Sequence, residues 1–174
     1  MTRDIQNIDD DIAFIKRAIK NKLIEDKDIL EALNNKDLDI DEPDSYLDVN
    51  IYGYLRVPQT QETARNFICF TVDDIEADRN NEAMKKQYIQ FHAICHLDNM
   101  KTNYGMDRHD LIAYLIRDDI NWTDVFGTQF KLIENKERAV DSDYYCRTLV
   151  FEATRTNSLY KATMSNKYDN IKRR

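Results

Sequence analysis

Apolar residues near the N-terminus recur every three or four positions, which is the period of one face of an α-helix. The pattern predicts a first helix of about six turns. Acidic residues at 9–11 precede basic residues further along, an order that suits the helix dipole. A short second helix is predicted from Asp28, with Asp28 as N-cap and Glu31 three residues later in a capping-box-like pattern. The stripe of the first helix comprises Ile8, Ile12, Ile15, Ile19 and Leu23.

Three segments then show the residue types and the two-residue period of strands. Residues 49–57 alternate between apolar and polar positions, and Pro58 ends the pattern. Residues 66–72 are apolar on both faces, which indicates an interior strand. Residues 84–96 alternate again, with Ile89, Phe91, Ala93 and Cys95 on one face. The polar stretch 73–83 predicts a turn between these two strands, and hence an antiparallel hairpin.

The clearest helix start lies in the second half of the chain. Asp107 is predicted as N-cap, Asp110 lies at the third helical position, and Met106 and Leu111 are spaced as a hydrophobic staple. The helix is predicted over 107–120. Its broad buried face is predicted to contain Leu111, Ile112, Tyr114, Leu115 and Ile116.

A second hairpin closes the pattern, with strands at 130–136 and 144–154 around a charged turn. One face of the last strand carries Tyr145, Arg147, Leu149 and Phe151, and the other carries Cys146, Thr148, Val150 and Glu152. The element order is α-α-β-β-β-α-β-β. It predicts an α+β fold, with a mostly antiparallel sheet of four to five strands, an N-terminal helix and a second helix packed on it.

Charge divides the chain into three predicted parts. Residues 1–48, a helical segment with an acidic connection at 34–48, have a balance of -7, which equals the formal charge of the whole chain. Residues 49–154 form the predicted α+β core. Residues 155–174 have a balance of +5 and are interpreted as a basic flexible tail or an interaction arm. The acidic 34–48 connection is one candidate receptor for such an arm.

Composition excludes several classes of protein. With 3 glycines, the chain has little material for glycine-rich phosphate loops. Its acidity is unlike that of a general nucleic-acid binder. Its 3 cysteines lack CxxC spacing, which argues against disulfide frameworks and zinc knuckles. We expect no membrane segment, because no apolar run approaches about 18 residues. The acidic N-terminus is unlike a signal peptide, so we expect a cytosolic place of synthesis.

Candidate chemistry is sparse. Glu134-Asn135-Lys136, with Asp118, Asp119 or Asp124 upstream, resembles the acid…ExK pattern of Mg²⁺-dependent nucleases, but this loose spacing is common by chance in a chain with 33% charged residues. His92 and His96 share a strand face about 13 Å apart, too far for one metal. His109 is interpreted as a surface residue at a helix end. We therefore predict no catalytic, cofactor-binding or metal-binding residues and a protein that is not an enzyme.

The apolar and aromatic residues exceed what one layer of helices would cover. Residues 66–72 are apolar on both faces, and tyrosines occupy both faces of the last strand. This excess predicts self-association through sheet surfaces or edges. The candidate subunit-interface residues are Tyr52, Tyr54, Arg56, Tyr145, Arg147 and Arg155.

The last third of the chain adds a resemblance to a known family. The helix at 107–120, its Asn121-Trp122 exit, Phe126-Gly127-Thr128-Gln129 and the strand at 144–158 resemble neck and tail-terminator proteins of tailed bacteriophages. The resemblance implies a virion structural protein, assembled in the host cytoplasm. It also implies a homo-oligomeric ring, typically of about six copies, that caps the tail and joins it to the head. Partners would be neck, connector and tail-tube proteins, with DNA passing through without specific binding and no membrane. A head-closure or baseplate role, a nuclease and a soluble protein-binding adaptor stay as alternatives.

Overall fold

The computed structural model of the protein describes residues 11–56, 64–78, 81–124 and 126–156. The helices are α1 (Asp11–Glu25), α2 (Lys27–Leu33) and α3 (Arg108–Ile120). The strands are β1 (Ile51–Tyr52), β2 (Phe67–Asp78), β3 (Asn81–His96), β4 (Lys131–Ala139) and β5 (Tyr144–Thr156). Short 3₁₀ turns cover Pro43–Tyr46 and Leu97–Asn99.

The five strands form one sheet in the order β1-β2-β3-β5-β4. All neighbouring strands are antiparallel except β1 and β2, which are parallel. The α+β class, the mostly antiparallel sheet and the packed N-terminal and second helices are therefore confirmed. The order places β1 and β4 at opposite edges.

One face of the sheet, the helix face, is covered by α1, α2 and α3. The predicted stripe of the first helix is confirmed over its described part, because Ile15, Ile19 and Leu23 have no exposed surface. They pack in one cluster with strand residues of the predicted face, including Phe91 and Phe151. Segments from both the predicted N-terminal part and the predicted core part thus share a hydrophobic core.

The opposite face of the sheet, the second face, has its own smaller apolar cluster. The chain that follows β1 supplies some of its cover: the carbonyl of Arg56 lies 3.8 Å from Cys69 Sγ, and the carbonyl of Ala64 accepts a hydrogen bond from Asn99. Strand 66–72 is thereby buried on both faces, as predicted. The second-face cluster comprises Tyr52, Phe67, Cys69, Ile94, Tyr144 and Cys146.

The predicted strand at 49–57 is wrong in length and direction. Only Ile51 and Tyr52 form strand structure, and they run parallel to β2. Because a parallel neighbour cannot be reached through a tight hairpin, the chain must leave the edge and return along a long connection. Gly53 marks the departure, where Lys16 Nζ donates to its carbonyl. Val57 and Pro58 lie outside the described residues.

Both hairpins have longer strands and shorter connections than the polarity of the sequence predicts. The stretch predicted as a turn at 73–83 continues β2 to Asp78, and β3 resumes at Asn81. Polar side chains support this extension across the strands, since Asp74 accepts hydrogen bonds from both Lys85 and Gln87 at 2.6 Å. In the second hairpin, β4 continues to Ala139 because its charged residues face solvent or pair across strands.

The helix starts differ from the predicted caps. Asp26, two residues before the predicted cap Asp28, is the N-cap of α2, and its carboxylate accepts from the amides of Asp28 and Ile29. Asp107 is the N-cap residue of α3, as predicted, but its side chain pairs with Lys101 and makes no cap hydrogen bond.

The buried face of α3 is also rotated from the predicted one. Tyr114 is exposed, whereas His109, predicted at the surface, is only 2% exposed. The observed stripe follows the residues that face the sheet, because the tilt of a helix on its sheet decides which side is covered. It comprises His109, Ile112, Ala113, Ile116 and Ile120.

Candidate assembly surfaces

The β1 edge carries three of the predicted interface residues in one cluster. The guanidinium of Arg56 lies 4.7 Å from the ring centroid of Tyr52 and 5.8 Å from that of Phe67, and it hydrogen-bonds the Tyr52 hydroxyl. Tyr54 packs edge-on against Tyr52 at 5.5 Å. Burial raises the pKa of Tyr52, against the opposing effect of Arg56. Tyr52 is thus the buried member of the cluster, and Tyr54 and Arg56 pack against its ring.

The outward side of this cluster is apolar. Tyr54 and Leu55 are each 54% exposed. We call Tyr54, Leu55 and Arg56 the β1-edge surface. Tyrosine and arginine are residue types that the cores of protein interfaces favour, so this surface is a candidate contact for another protein.

The β4 edge carries a second exposed cluster. Trp122, just after α3, is 57% exposed, and Lys131 at the start of β4 lies over its ring at 5.8 Å. Ile133, where the β4 ladder is interrupted by a bulge, is 49% exposed. We call Trp122, Lys131 and Ile133 the β4-edge surface. It lies on the far side of the sheet from the β1-edge surface.

The backbone of Trp122 is unusual for its residue type. Its φ is 63°, a left-handed conformation that glycine or asparagine normally supplies after a helix. The conformation is held by its amide, which donates to the carbonyl of Phe130 at 2.8 Å, and by Asn121, whose side chain accepts from the amide of Leu132. A bulky residue in a disfavoured conformation and exposed to solvent points to a role outside the stability of the subunit.

The other three predicted interface residues lie on the helix face and are engaged within the subunit. Tyr145 packs against the main core. Arg155 donates to the side-chain oxygen of the buried Gln87 at 3.2 Å. The six residues therefore do not form one patch, and their role at a subunit interface stays a prediction.

Arg147 lies in a charged cluster between α3 and the sheet. Its guanidinium contacts Asp110 at 2.5 Å and Glu137 at 3.7 Å. His109 Nε2 lies 3.5 Å from Asp110 and 3.6 Å from Glu137, without a hydrogen-bond partner. Arg147 thus balances two carboxylates that α3 and β4 bring together, and it ties both elements to β5.

The residues of the acid…ExK pattern are not brought together. Glu134 pairs with Lys136 at 3.0 Å and Arg138 at 3.4 Å, on β4 itself. Asp119 faces α1, where it pairs with Lys22 at 2.9 Å. Burial raises the pKa of Asp119 despite that pair. Across the described part of the chain, no group of three or more His, Cys, Asp or Glu side chains could hold a metal ion.

The other histidines and the cysteines lie in or beside the sheet. His92 contacts Thr148 at 3.2 Å, and its burial lowers the pKa of its imidazole. His96 accepts from the amide of Asp98 and packs edge-on against Tyr144. All three cysteines are free and buried, and burial raises the pKa of each thiol. Their environments are those of small apolar residues.

Glu152, on the second face of the sheet, should make the stability of the fold depend on pH. It accepts from the Tyr88 hydroxyl at 2.7 Å and from Lys86 at 3.1 Å, and these hydrogen bonds lower the pKa of Glu152. A lowered carboxyl pKa stabilises the fold above the unfolded-state value, and the contribution is lost as pH falls through the folded-state value. Glu152→Gln is therefore expected to cost about 0.5 kcal/mol at pH 7 and nearly nothing below about pH 3.

Urea denaturation across this pH range measures the Glu152 effect. Asp44→Asn, at an exposed acid in the first 3₁₀ turn, is the matched control, and we expect no comparable loss from it. A cost for Glu152→Gln that stays constant down to pH 3 would contradict the prediction.

Sequence reasoning missed Trp122 and Ile133 as surface residues. In the sequence, Asn121-Trp122 follows the end of a predicted helix, but nothing in the local pattern shows that the indole is exposed beside β4. Ile133 falls in an apolar position of a predicted strand, but it is the residue left unpaired where the register between β4 and β5 shifts. In the described residues, no helix has the length and apolarity to cross a membrane.

A family model matches most of the chain, whereas no curated protein matches it. The family model described as YomW matches residues 26–153, from the N-cap of α2 to the inner part of β5. The matched range includes α2, α3, the first four strands and most of β5, and it covers well over half of the 174 residues. The chain therefore belongs to the YomW family, a phage-derived family of the Bacillus phage SPBc2 type.

Proposed function

We propose that this phage protein is a non-enzymatic structural part of the virion, a tail-terminator or neck protein that forms a ring at the junction of head and tail. Membership of a phage-derived family supports the phage origin of the protein. The resemblance of the last third of the chain to neck and tail-terminator proteins supports the specific role. The ring would contain about six subunits, as is typical of that class.

The positions of the two edge surfaces are the main support for this proposal. The β1-edge and β4-edge surfaces lie at opposite ends of one five-stranded sheet. A ring needs two different surfaces on each subunit, because every copy contacts its two neighbours head to tail. A twofold dimer would need only one patch that matches itself.

The two surfaces also differ in chemistry. The β1-edge surface combines a tyrosine and a leucine with an arginine, whereas the β4-edge surface presents an indole, an isoleucine and a lysine. Charged residues along β4, including Glu134, Lys136 and Arg138, oppose uncontrolled addition of further strands. Contact between subunits would therefore be made by side chains that flank the edges.

The acidic charge suits a channel for DNA. The chain has a formal charge of -7, and a lining with that balance repels phosphate and lets DNA pass without gripping it. The partners would be neighbouring neck, connector and tail-tube proteins, in the assembled virion. Assembly would take place in the host cytoplasm.

Negative-stain microscopy of the purified full chain, with light scattering for the mass, tests the proposal. We expect rings of about six subunits at micromolar concentration. Compact monomers at that concentration would contradict the ring and would favour an adaptor that binds one protein partner.

A further inference from the structure

His109, in the first turn of α3, is a buried histidine with an unsatisfied ring nitrogen. The residue is 2% exposed, and its Nε2 atom is closed off from solvent and has no hydrogen-bond partner among the described residues. Neither water nor a ligand can reach this nitrogen to satisfy it. A buried polar atom without a partner is costly, and a proton is the one addition that fits here.

The groups that contact the two ring nitrogens are hydrogen-bond acceptors. Nδ1 lies 3.0 Å from Sδ of Met100. Nε2 lies 3.5 Å from Oδ1 of Asp110 and 3.6 Å from Oε1 of Glu137. A neutral imidazole carries one N–H, so one of its nitrogens presents a lone pair to an acceptor. An imidazolium carries two N–H groups and can donate on both sides.

The charges of this cluster balance only when the ring is protonated. Asp110 on α3 and Glu137 on β4 are both in contact with the guanidinium of Arg147 on β5. Two carboxylates and one guanidinium leave one negative charge uncompensated beside His109. A proton on the ring supplies the missing positive charge.

Two further groups near His109 keep the same charge near neutral pH. Cys95 on β3 interacts with Asp110, and burial raises the pKa of its thiol, so the thiol stays neutral. Arg108 stays charged, and its guanidinium donates to three backbone carbonyls. Because histidine ordinarily changes its charge between about pH 5 and pH 8, His109 is the titrating group of the cluster.

We propose that His109 is a pH-sensitive clamp, whose imidazolium shares its Nε2–H between Asp110 and Glu137 and fastens the first turn of α3 to β4. β4 is an edge strand with β5 as its neighbour in the sheet, so the contact with α3 is a further attachment. The clamp forms as the pH falls from about 8 to about 5.5 and is released as the pH rises. It belongs to the single subunit and does not depend on the proposed ring.

A double-mutant cycle of His109→Gln and Glu137→Gln, measured by urea denaturation at two pH values, tests the clamp. At about pH 5.5 we expect the interaction between the two residues to raise the equilibrium constant for folding by about fivefold, because Glu137 is half-exposed. At about pH 8 the interaction should be less than about 1.5-fold, because the imidazole is then neutral.

Glu134→Gln is the matched control, since Glu134 also lies on β4 but pairs with Lys136 and Arg138. Its interaction with His109 should be the same at both pH values. Glu137→Gln alone, which keeps His109, provides a second measurement if His109→Gln does not fold. The cost of Glu137→Gln should grow as the pH falls.

An interaction between His109 and Glu137 that is equal at both pH values, or larger at the higher one, would overturn the clamp. An equal pH dependence in the Glu134 cycle would overturn it too, since that result indicates a general effect of charge. If His109→Gln does not fold, a cost of Glu137→Gln that stays constant with pH has the same consequence. An interaction confined to the lower pH and to Glu137 supports the clamp.

Discussion

Trp122→Asn is expected to abolish ring assembly while leaving the subunit folded. The indole is 57% exposed and is the largest side chain of the β4-edge surface, so its removal takes away an interface anchor of the kind that dominates binding energy. Such anchors contribute about 2 kcal/mol or more each, and a closed ring repeats the loss at every contact.

The stability of the subunit should change little, because two effects oppose each other. Asparagine accepts the left-handed φ of 63° more readily than tryptophan, which favours the variant. The packing lost from the half-exposed ring, including its contact with Lys131, favours the wild type. We expect the free energy of unfolding to stay within about 1 kcal/mol of the wild-type value.

Light scattering gives the mass of each variant, and urea denaturation gives its stability. Phe14→Ser is the matched control, since Phe14 is similarly exposed but lies on α1. Rings that persist in Trp122→Asn, or that are lost equally in Phe14→Ser, would show that the β4-edge surface is not the contact.

Arg147→Met is expected to have the opposite effect, with a large loss of stability in the subunit itself. The substitution leaves Asp110 and Glu137 beside the buried His109 without their cation. Removing one partner of a part-buried ion pair costs more than the pair contributes, because the remaining charge is left poorly solvated. We expect a loss of about 2 kcal/mol, since both partners keep some exposure to solvent.

The double variant Arg147→Met/Asp110→Asn tests the cause. If the uncompensated carboxylate is responsible, urea denaturation should show that the second change recovers at least half of the loss. Arg117→Met, at an exposed position on α3, is the control and should cost less than about 0.5 kcal/mol. A loss of assembly with unchanged stability would instead place Arg147 at a subunit contact.

The two hairpins show how far local patterns predict this fold. Alternation along 84–96 and 144–154 identified the faces of β3 and β5 correctly, because burial on a sheet imposes a period of two whatever the partner. The predicted strand ends are wrong because a run of polar residues does not mark a turn here. Asp74 and Lys85 are polar but pair across the hairpin, and a single sequence does not display that pairing.

The candidate surfaces were only partly predictable for a related reason. Tyr52, Tyr54 and Arg56 are close in sequence, so they remain together in the structure. The sequence predicts Arg147 at an interface because tyrosines occupy both faces of its strand. The pattern of one strand cannot show which face α3 covers, and α3 brings Asp110 to that face.

The sequence by itself determined the α+β class, the helix and strand faces, and the shortage of glycine for phosphate loops, because periodicity and composition are local properties of the chain. The tertiary structure alone decided that β1 is a parallel edge strand, that His109 is buried and that Trp122 stands exposed beside β4. These features depend on which elements become neighbours. Packing between residues distant in sequence decides which elements become neighbours. It therefore also decides that the two edge surfaces lie at opposite ends of the sheet.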